Sequence, residues 1–391
     1  MLYRITLLLS LVAATNFVSY CQPVTKKALF LGNSYTAYNS LPNLVEDIAN
    51  SLGDSLIHDR NTPGGQTMAG HASNATSLNK IASQEWDYVV LQSQSQEPSF
   101  PPSQVANDVY PYAELLTDSI RNNTSCGTPL FFMTWGRKNG DASNCAAYPP
   151  ICTYEGMQQR LRESYMEMAS ANQGRVSPVG MAWKRVREEY PEIDLYTPDE
   201  SHPSYAGSYL AASVFYCSIF QKSCEPSDFI GSLDSTTAGR LRTIASETVL
   251  DSLGLWGFLE ADVLLDSTFL NYAYLTASYS NADSIVWDFG DPLVGSSSDS
   301  FVTVEYFVEG EYTVTLSVYD RLNCESKSVN TVVQIQLPSS IDVESSNQFG
   351  EVIFRTDVLG RRIDHVEWLN AGQYFIEWDN LGNKRLRYKV Y

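Results

Sequence analysis

Short apolar runs and segments of helical periodicity alternate along the chain from residue 26 to about residue 256. The apolar runs span 27–31, 87–91 and 129–134, and the helical segments span 41–52, 105–120, 154–171 and 204–220. Strands that alternate with helices predict an α/β fold with a parallel sheet covered by helices on both faces. The ligand site of such a sheet lies beyond the carboxyl ends of its strands. Ser34 and Gln92 each directly follow an apolar run, so we expect them at one shared site.

The character of the sequence changes after about residue 260. Aromatic and β-branched residues alternate there with Ser, Asp and Gly, and helical periodicity ends. Short strand-like runs at regular spacing predict a β-sandwich. The block 337–391 is again strand-like, which predicts a small all-β domain. We therefore predict three folded parts, at 25–256, 261–336 and 337–391.

Residues 1–21 have the features of an export signal. Arg4 gives the positive start, residues 5–14 form an apolar run, and Ser19 and Cys21 are the small residues of a cleavage site before Gln22. The run is too short to span a bilayer, and no other stretch of the sequence approaches that length. We expect a secreted or cell-surface protein with no transmembrane segment after the signal is removed.

The chain is acidic, with 45 Asp and Glu against 26 Lys and Arg and a formal net charge of −19 at pH 7. Binding to nucleic acid or to anionic lipid needs a basic surface. The charge therefore argues against nucleic-acid partners and against adhesion to an anionic membrane. Solubility outside the cell is the simpler interpretation.

Six cysteines follow the predicted signal: Cys126, Cys145, Cys152, Cys217, Cys224 and Cys324. Export permits disulfides, and six cysteines allow fifteen pairings. We predict the pairs Cys145–Cys152 and Cys217–Cys224, because each closes a short loop. A metal site is disfavoured, since the sequence has no Cys-x-x-Cys and no His at ligand spacing from a Cys.

A serine, an aspartate and a histidine stand where nucleophilic catalysis would need them. Ser34 follows the first apolar run in Gly-Asn-Ser, and Asp199 and His202 lie three residues apart in Asp-Glu-Ser-His-Pro. Serine is a weak nucleophile at neutral pH and needs a positioned base, which in turn needs an orienting group. The alternatives are an ordinary turn with an N-cap serine at Ser34 and a solvated acidic loop at 199–202.

Two further segments carry groups that can stabilise negative charge. The pair Gly64-Gly65 permits positive φ and lets backbone N–H groups approach a ligand closely. Gln92 carries an amide that can donate to an oxyanion. The alternatives are a tight strand-to-helix turn at the glycines and an ordinary polar loop residue at Gln92.

In this order, Gly32-Asn33-Ser34, Gly65, the amide of Gln92 and Asp199-x-x-His202 resemble the sequence blocks of the SGNH (GDSL-like) hydrolase family. The resemblance covers about residues 25–255 and implies a flavodoxin-like three-layer fold and ester hydrolysis. It implies Ser34 as the nucleophile, His202 as the general base and Asp199 as its orienting partner. The implied oxyanion hole consists of the Ser34 and Gly65 backbone N–H groups and the side-chain amide of Gln92.

The sequence departs from that family's pattern at two positions. Asn33 replaces the usual Asp beside the serine, and Gln92 stands where the family has an Asn after a Gly. The first change is expected to leave the nucleophile intact. The change at Gln92 affects the side-chain donor of the implied oxyanion hole. The loss of one such donor raises the activation free energy of the reaction by about 3–4 kcal/mol.

The loop 134–141 follows the apolar run that begins at residue 129 and is expected to overhang the same site. Trp135 can stack on the face of a sugar, and Arg137 can bind a hydroxyl or a carboxylate. The alternative is a core position for Trp135 and a solvated loop after it.

Two β-rich segments resemble modules of exported bacterial proteins. The run 287–291, Trp-Asp-Phe-Gly-Asp, followed by 310–314, Gly-Glu-Tyr-Thr-Val, resembles a PKD domain, which implies an immunoglobulin-like sandwich acting as a spacer or a weak glycan- or protein-binding module. The tail, with 357–361, 369–374 and a basic end at 384–389, resembles the C-terminal sorting domain of type IX secretion. That resemblance implies the type IX secretion machinery as a partner, although Leu-Pro-Ser at 337–339 replaces the expected Pro-Asn-Pro. The alternative is a generic pair of β-modules.

The sequence as a whole indicates an exported serine esterase that acts on esterified carbohydrates, with acetyl esters as the expected substrates. The reaction needs no metal and no organic cofactor. The competing hypothesis is a non-catalytic surface protein, carbohydrate-binding or adhesive, with a degenerate hydrolase domain. A metal-dependent hydrolase is disfavoured, because four scattered histidines offer no ligand set.

Overall fold

The strands of the predicted sheet are β1 (Thr25–Leu31), β2 (Ser55–Asn61), β3 (Tyr88–Leu91), β4 (Thr128–Phe132) and β5 (Arg175–Ser177). In the computed structural model they form one five-stranded sheet in the order β2-β1-β3-β4-β5, and each neighbouring pair is parallel. This is the strand order of flavodoxin-like folds. Residues 28–31 and 88–91 are buried throughout, as expected for parallel strands that are covered on both faces.

The helices that follow these strands are α1 (Ser34–Ala37), α2 (Leu41–Ser51), α3 (Met68–Ala72), α4 (Ala75–Ile81), α5 (Pro102–Asp108), α6 (Tyr110–Asn123), α7 (Tyr154–Ala171), α8 (Val179–Glu189), α9 (Tyr205–Phe220) and α10 (Ser235–Leu250). The chain runs from β1 to β2 in one direction across the sheet and then to β3, β4 and β5 in the other. Right-handed crossovers then place helices on both faces. Accordingly α2, α8, α9 and α10 pack with one another, and α3, α4, α5 and α6 form a second group. The predicted parallel sheet accompanied by helices is present.

The helix predicted over 105–120 is divided into α5 and α6 at Val109. Pro111 lies in the first turn of α6. Proline has no backbone N–H, and its ring clashes with the carbonyl four residues earlier in a continuous helix. The chain therefore breaks just before the proline.

The strands after residue 259 are β6 (Glu260–Phe269), β7 (Tyr272–Ser280), β8 (Ser284–Asp288), β9 (Phe301–Glu305), β10 (Gly310–Tyr319) and β11 (Ser326–Ile335). They form two three-stranded sheets, in the orders β11-β10-β8 and β6-β7-β9. Burial alternates along β10, where Val314, Leu316 and Val318 are buried. The change to all-β structure near residue 260 is confirmed, while the immunoglobulin-like sandwich remains a prediction.

A last sheet consists of β12 (Val352–Thr356), β13 (Arg362–Ile363), β14 (Tyr374–Asp379) and β15 (Lys384–Tyr388), in the antiparallel order β13-β12-β14-β15. The structure describes residues 23–321, 324–336, 351–356, 361–363, 365, 374–379 and 384–388. The predicted export signal lies outside these residues, as do 337–339, 357–360 and 369–373, on which the resemblance to a sorting domain largely rests.

The chain divides into two compact units. The described residues of the first are 23–261, 279–285, 317–321 and 324–327; those of the second are 262–278, 286–316, 328–336 and the described residues after 350. None of the helices in the described part of the chain combines the length and the apolarity needed to cross a bilayer.

Two disulfides lie in the first unit. Cys145–Cys152 is confirmed, and the second bond joins Cys126 to Cys324, 198 positions apart. The predicted pair Cys217–Cys224 is wrong, because both residues are buried free thiols. The Cys224 thiol donates to the carbonyl of Arg242 and lies 3.3 Å from the hydroxyl of Ser246, which is also a neighbour of the Cys217 thiol.

Candidate active site

Ser34, His202 and Asp199 lie in hydrogen-bonding contact. His202 Nε2 is 2.9 Å from Ser34 Oγ, and His202 Nδ1 is 2.5 Å from Asp199 Oδ2. Ser34 is the first residue of α1, directly after β1, whereas the other two residues lie on the loop between α8 and α9. Folding thus brings together groups that are 168 positions apart, at the carboxyl end of the parallel sheet, where ligand sites of such sheets lie.

The turn that carries Ser34 is held by Asn33. The Asn33 side-chain oxygen accepts from the backbone N–H of Tyr35 at 3.0 Å, which caps α1. Its amide nitrogen donates to the carbonyls of Gln66 at 3.1 Å and Ser93 at 3.3 Å. A carboxylate has no hydrogen to donate to these two carbonyls. The replacement of the usual Asp by Asn33 therefore fits the local structure, in which the side chain fastens the loops after β2 and β3 to the serine turn.

The side chain of Gln92 is buried and bonded inside the protein, and does not face the site as predicted. Its Oε1 accepts from the Asn33 backbone N–H at 3.0 Å and from the Thr36 hydroxyl at 2.8 Å. Its Nε2 donates to Asn33 Oδ1 at 2.7 Å and to the Ser93 carbonyl at 2.8 Å. The residue is 0% exposed. Both amide hydrogens are used inside the protein, so the assignment of Gln92 as an oxyanion donor is corrected.

His71, on α3, supports the same turn from beneath. Its Nε2 lies 2.9 Å from the Gly32 carbonyl and its Nδ1 lies 2.7 Å from Ser77 Oγ. Since a carbonyl only accepts, Nε2 carries the hydrogen, and neutral Nδ1 accepts from the serine hydroxyl. Burial lowers the pKa of His71, against the opposing effect of its bond to the Gly32 carbonyl. This role was not predicted from local sequence patterns, because the contact joins residues that are 39 positions apart.

The loop that carries His202 is organised around the carboxylate of Asp199. Asp199 Oδ1 accepts from the Thr197 hydroxyl at 2.8 Å and from the backbone N–H groups of Ser201 and His202 at 3.0 and 2.9 Å. Burial by itself would raise the pKa of Asp199, but these bonds and the one from the His202 imidazole outweigh it and lower the pKa. Glu200, at φ 60°, takes the left-handed conformation that closes the turn. Asp199 is therefore an ionised acceptor at neutral pH.

Trp135 lies behind this loop and not on the surface. Its ring stacks on Tyr35 at 4.6 Å and on Trp183 at 3.9 Å, and it is 0% exposed. Its indole N–H donates to the Ser201 carbonyl at 3.0 Å. Both faces of the ring are covered, so the prediction that Trp135 stacks on a sugar is wrong.

Two tyrosines that were not predicted from the sequence lie near His202. The Tyr35 hydroxyl lies 2.7 Å from Ser201 Oγ, and its ring centroid is 5.5 Å from that of His202. The Tyr38 ring stacks on the His202 imidazole at 4.5 Å. The available signal was the position of Tyr38, four residues after Ser34 and at the end of the short helix α1, because side chains at that spacing are neighbours on a helix.

Arg137 and Gly65 remain open to solvent. Arg137 follows β4, its side chain is 28% exposed, and its Nη1 lies 3.5 Å from Asp141 Oδ1. Its Nε is buried and has no hydrogen-bond partner among the described residues. Gly65 is exposed at φ +68°, beside Gln66, whose carbonyl is bonded to Asn33. The loop of Gly65 is thereby tied to the serine turn.

No family model matches the chain, and no curated protein matches it. Similar solved structures include a DUF4886 family protein from Bacteroides uniformis ATCC 8492, with 17% identity, a TM-score of 0.49, and coverage of 58% of this chain and 95% of that one. A proposed SGNH hydrolase from Slackia heliotrinireducens has 24% identity and a TM-score of 0.41, over 49% and 97% of the two chains. The PKD1 domain of Vibrio anguillarum Epp has 25% identity and a TM-score of 0.19, over 20% and 95%. All three TM-scores lie below 0.5, so these similarities carry no argument about the reaction.

Proposed function

We propose that this chain is an exported serine esterase with Ser34 as its nucleophile, His202 as its general base and Asp199 as the orienting carboxylate. The observation that carries the proposal is the continuous contact from Ser34 Oγ through both imidazole nitrogens to Asp199 Oδ2, at 2.9 and 2.5 Å. A hydroxyl, an imidazole and a carboxylate in this order form the arrangement that activates a serine.

The proposed reaction has two halves. Ser34 Oγ attacks the ester carbonyl while its proton passes to His202 Nε2, and the resulting tetrahedral intermediate expels the alcohol, which takes that proton. A water molecule then attacks the acyl-enzyme, gives a proton to His202, and releases the acid as Ser34 regains its hydrogen. The lowered pKa of Asp199 keeps it ionised, so that it stabilises the imidazolium in both halves.

The oxyanion hole is proposed to use the backbone N–H groups of Ser34 and Gly65. As the first residue of a helix, Ser34 has an N–H without an intrahelical partner. For the side-chain donor we propose Gln94 in place of Gln92. Leu31 and Leu91 are paired in adjacent strands, and Ser34 and Gln94 each lie three residues beyond that pair.

The orientation of the Gln94 amide is fixed by local bonds. Its Oε1 accepts from the backbone N–H groups of Gln96 and Glu97 at 2.7 and 3.2 Å, and its Nε2 donates to Gln96 Oε1 at 3.2 Å. An amide nitrogen has two hydrogens. In the described part of the chain no partner takes the second one, which is available to a substrate.

For the substrate we propose acetyl or related esters of carbohydrates, with Arg137 as a contact. Its guanidinium is partly exposed and makes only a long ion pair with Asp141 through Nη1, which leaves the exposed part of the group free to donate. Such donors suit a hydroxyl or a carboxylate on the substrate. The burial of Trp135 removes one of the two features that favoured a sugar, and the PKD-like region 261–336 is the other.

Export is proposed from the signal-like residues 1–21, and the two disulfides in the first unit support it, because such bonds persist in oxidising compartments. A sorting role for 337–391 in type IX secretion is a further part of the proposal. It rests on the sequence resemblance alone.

The test is hydrolysis of p-nitrophenyl acetate by the purified chain, its Ser34→Ala and His202→Ala variants, and a Ser119→Ala control. Ser119 is a half-buried serine on α6, and its hydroxyl donates to the Leu115 carbonyl. We expect both site variants to lose turnover by at least a thousandfold, and the control and added chelator to change nothing. Wild-type and Ser34→Ala rates that cannot be told apart would favour the non-catalytic binding protein. Acetate release from acetylated xylan, pectin and sialic acid would then identify the natural ester.

A further inference from the structure

We propose that Tyr38 is a positioning residue for the general base, an inference that rests on the proposed esterase function. Its ring lies on the His202 imidazole with a centroid distance of 4.5 Å and an interplanar angle of 18°. Tyr38 is 38% exposed. The contacts of His202 with Ser34 and Asp199 do not require a large aromatic ring at the surface against the imidazole, so the position of Tyr38 calls for another explanation.

The backbone after Tyr38 holds the ring in place. Asn39 and Ser40 both take left-handed conformations, at φ 50° and 52°, which non-glycine residues rarely adopt and which persist only where the surroundings impose them. The Asn39 amide donates to the Ser204 carbonyl at 3.2 Å and to Ser208 Oγ at 2.9 Å. These acceptors lie at the start of α9, directly after the loop of His202. The unusual turn is therefore fastened to the same segment that carries the imidazole.

The stacked ring supplies something that the two hydrogen bonds do not. The bonds from Nδ1 and Nε2 lie at the edge of the imidazole, and they leave its faces open to water and to rocking of the ring. Tyr38 covers a face, while Tyr35 contacts the imidazole at 5.5 Å with its ring nearly perpendicular. When His202 takes the proton of Ser34 it becomes a cation, and an aromatic face attracts a cation at this range. Tyr38 thus stabilises the charged form on which the transition state depends.

Kinetic constants separate this role from direct substrate binding. An exposed tyrosine beside the nucleophile also has the shape of a platform for a sugar ring. A platform changes KM for a carbohydrate ester and leaves the attack of Ser34 on a small reagent unaltered. Replacing a positioning residue lowers kcat for every ester. It also lowers the rate at which Ser34 reacts with a small organophosphate, and by the same factor.

The experiment compares the full chain with Tyr38→Phe, Tyr38→Leu and Tyr38→Ala variants, and with Phe301→Ala, an exposed aromatic on β9, as the control. For each we would measure kcat and KM with p-nitrophenyl acetate, the rate of Ser34 phosphorylation by diethyl p-nitrophenyl phosphate, and the melting temperature. We expect Tyr38→Ala and Tyr38→Leu to lower kcat and the phosphorylation rate by about tenfold at an unchanged KM. Tyr38→Phe should stay within about twofold of the wild type, because it keeps the ring.

Each contrary result has a distinct meaning. Wild-type kcat and phosphorylation rates in Tyr38→Ala would overturn the inference, and so would a change confined to the KM of a carbohydrate ester. A loss in Tyr38→Phe equal to that in Tyr38→Ala would also overturn it, since the hydroxyl and not the ring would then matter. Wild-type protein that neither hydrolyses the ester nor reacts at Ser34 would instead contradict the proposed esterase function, and the Tyr38 inference, which rests on that function, would fall with it.

Discussion

Asn33 and Gln92 form a reciprocal buried pair. Gln92 Oε1 accepts the backbone N–H of Asn33 at 3.0 Å, and Gln92 Nε2 donates to Asn33 Oδ1 at 2.7 Å. The pair joins the loops that leave two adjacent strands, β1 and β3. Gln92, which was predicted to be an oxyanion donor, thus holds Asn33, the residue before the proposed nucleophile Ser34, in place.

Replacing Gln92 by Ala should therefore act on stability. The change leaves the Asn33 N–H and the Thr36 hydroxyl buried without a partner, at about 1–3 kcal/mol each, so we expect the free energy of unfolding to fall by about 3–5 kcal/mol. Gln94→Ala is the matched comparison: it loses the part-buried bonds from the Gln96 and Glu97 N–H groups, so we expect a smaller loss of about 1–2 kcal/mol together with a kcat lowered by about 10²–10³-fold. Urea denaturation and p-nitrophenyl acetate kinetics check both. A Gln92→Ala variant of wild-type stability and low kcat would restore Gln92 as the oxyanion donor.

Asn33→Asp should destabilise the protein strongly at neutral pH. A buried carboxylate would keep the bonds from the Tyr35 N–H and Gln92 Nε2 at one oxygen, but its other oxygen would face the two carbonyls to which Asn33 now donates. A buried charge that no opposite charge compensates costs about 3–5 kcal/mol. At low pH the carboxyl takes a proton, so the difference from the wild type should shrink between pH 7 and pH 4.5. Chemical denaturation at the two pH values measures it. Asn43→Asp, at an exposed position of α2, is the control, and an equally small effect at both positions would contradict the account of Asn33.

The stability of the fold should fall as the medium becomes acidic, in part because of His71. Burial lowers the pKa of His71 in the folded chain, so the unfolded chain binds the proton more readily. This contribution is fully present above the unfolded pKa of about 6.5 and decreases as the pH falls below it, by at most about 1.4 kcal/mol per pH unit. In His71→Gln the amide can still donate to the Gly32 carbonyl, and the slope of unfolding free energy against pH should be smaller between pH 6.5 and 5. An identical slope in the two proteins would show that His71 does not resist protonation.

Trp135→Phe should change catalysis without changing substrate affinity. Phenylalanine keeps an aromatic ring between Tyr35 and Trp183 but loses the indole N–H that donates to the Ser201 carbonyl at 3.0 Å. The loop of His202 should become looser, and we expect kcat to fall by about tenfold at a similar KM, with a loss of about 1–2 kcal/mol of stability. Steady-state kinetics and thermal unfolding check this. A higher KM for an acetylated sugar at unchanged kcat and stability would instead support the stacking role that the buried position argues against.

Much of the fold follows from local patterns. Apolar runs that alternate with helical periodicity predicted the parallel α/β sheet and the change to β structure near residue 260, because the repeat of side chains along a strand or helix is a property of neighbouring residues. The same locality explains the correct pairing of Cys145 with Cys152. The contact of Ser34, Asp199 and His202 was anticipated from residue types and their order along the chain, and their catalytic roles remain a proposal.

Other properties of the site depend on partners that are distant in the sequence. Rings from α1 and α8 cover both faces of Trp135. The Gln92 amide is bonded to Asn33, and Cys126 forms a disulfide with Cys324, 198 positions away. Tyr38 meets His202 only because an unusual turn is fastened to the start of α9. The sequence determined which chemical groups are present and which elements carry them. Whether a group faces solvent, substrate or another side chain was decided by tertiary packing, since burial and hydrogen-bond partners depend on every element that surrounds a residue.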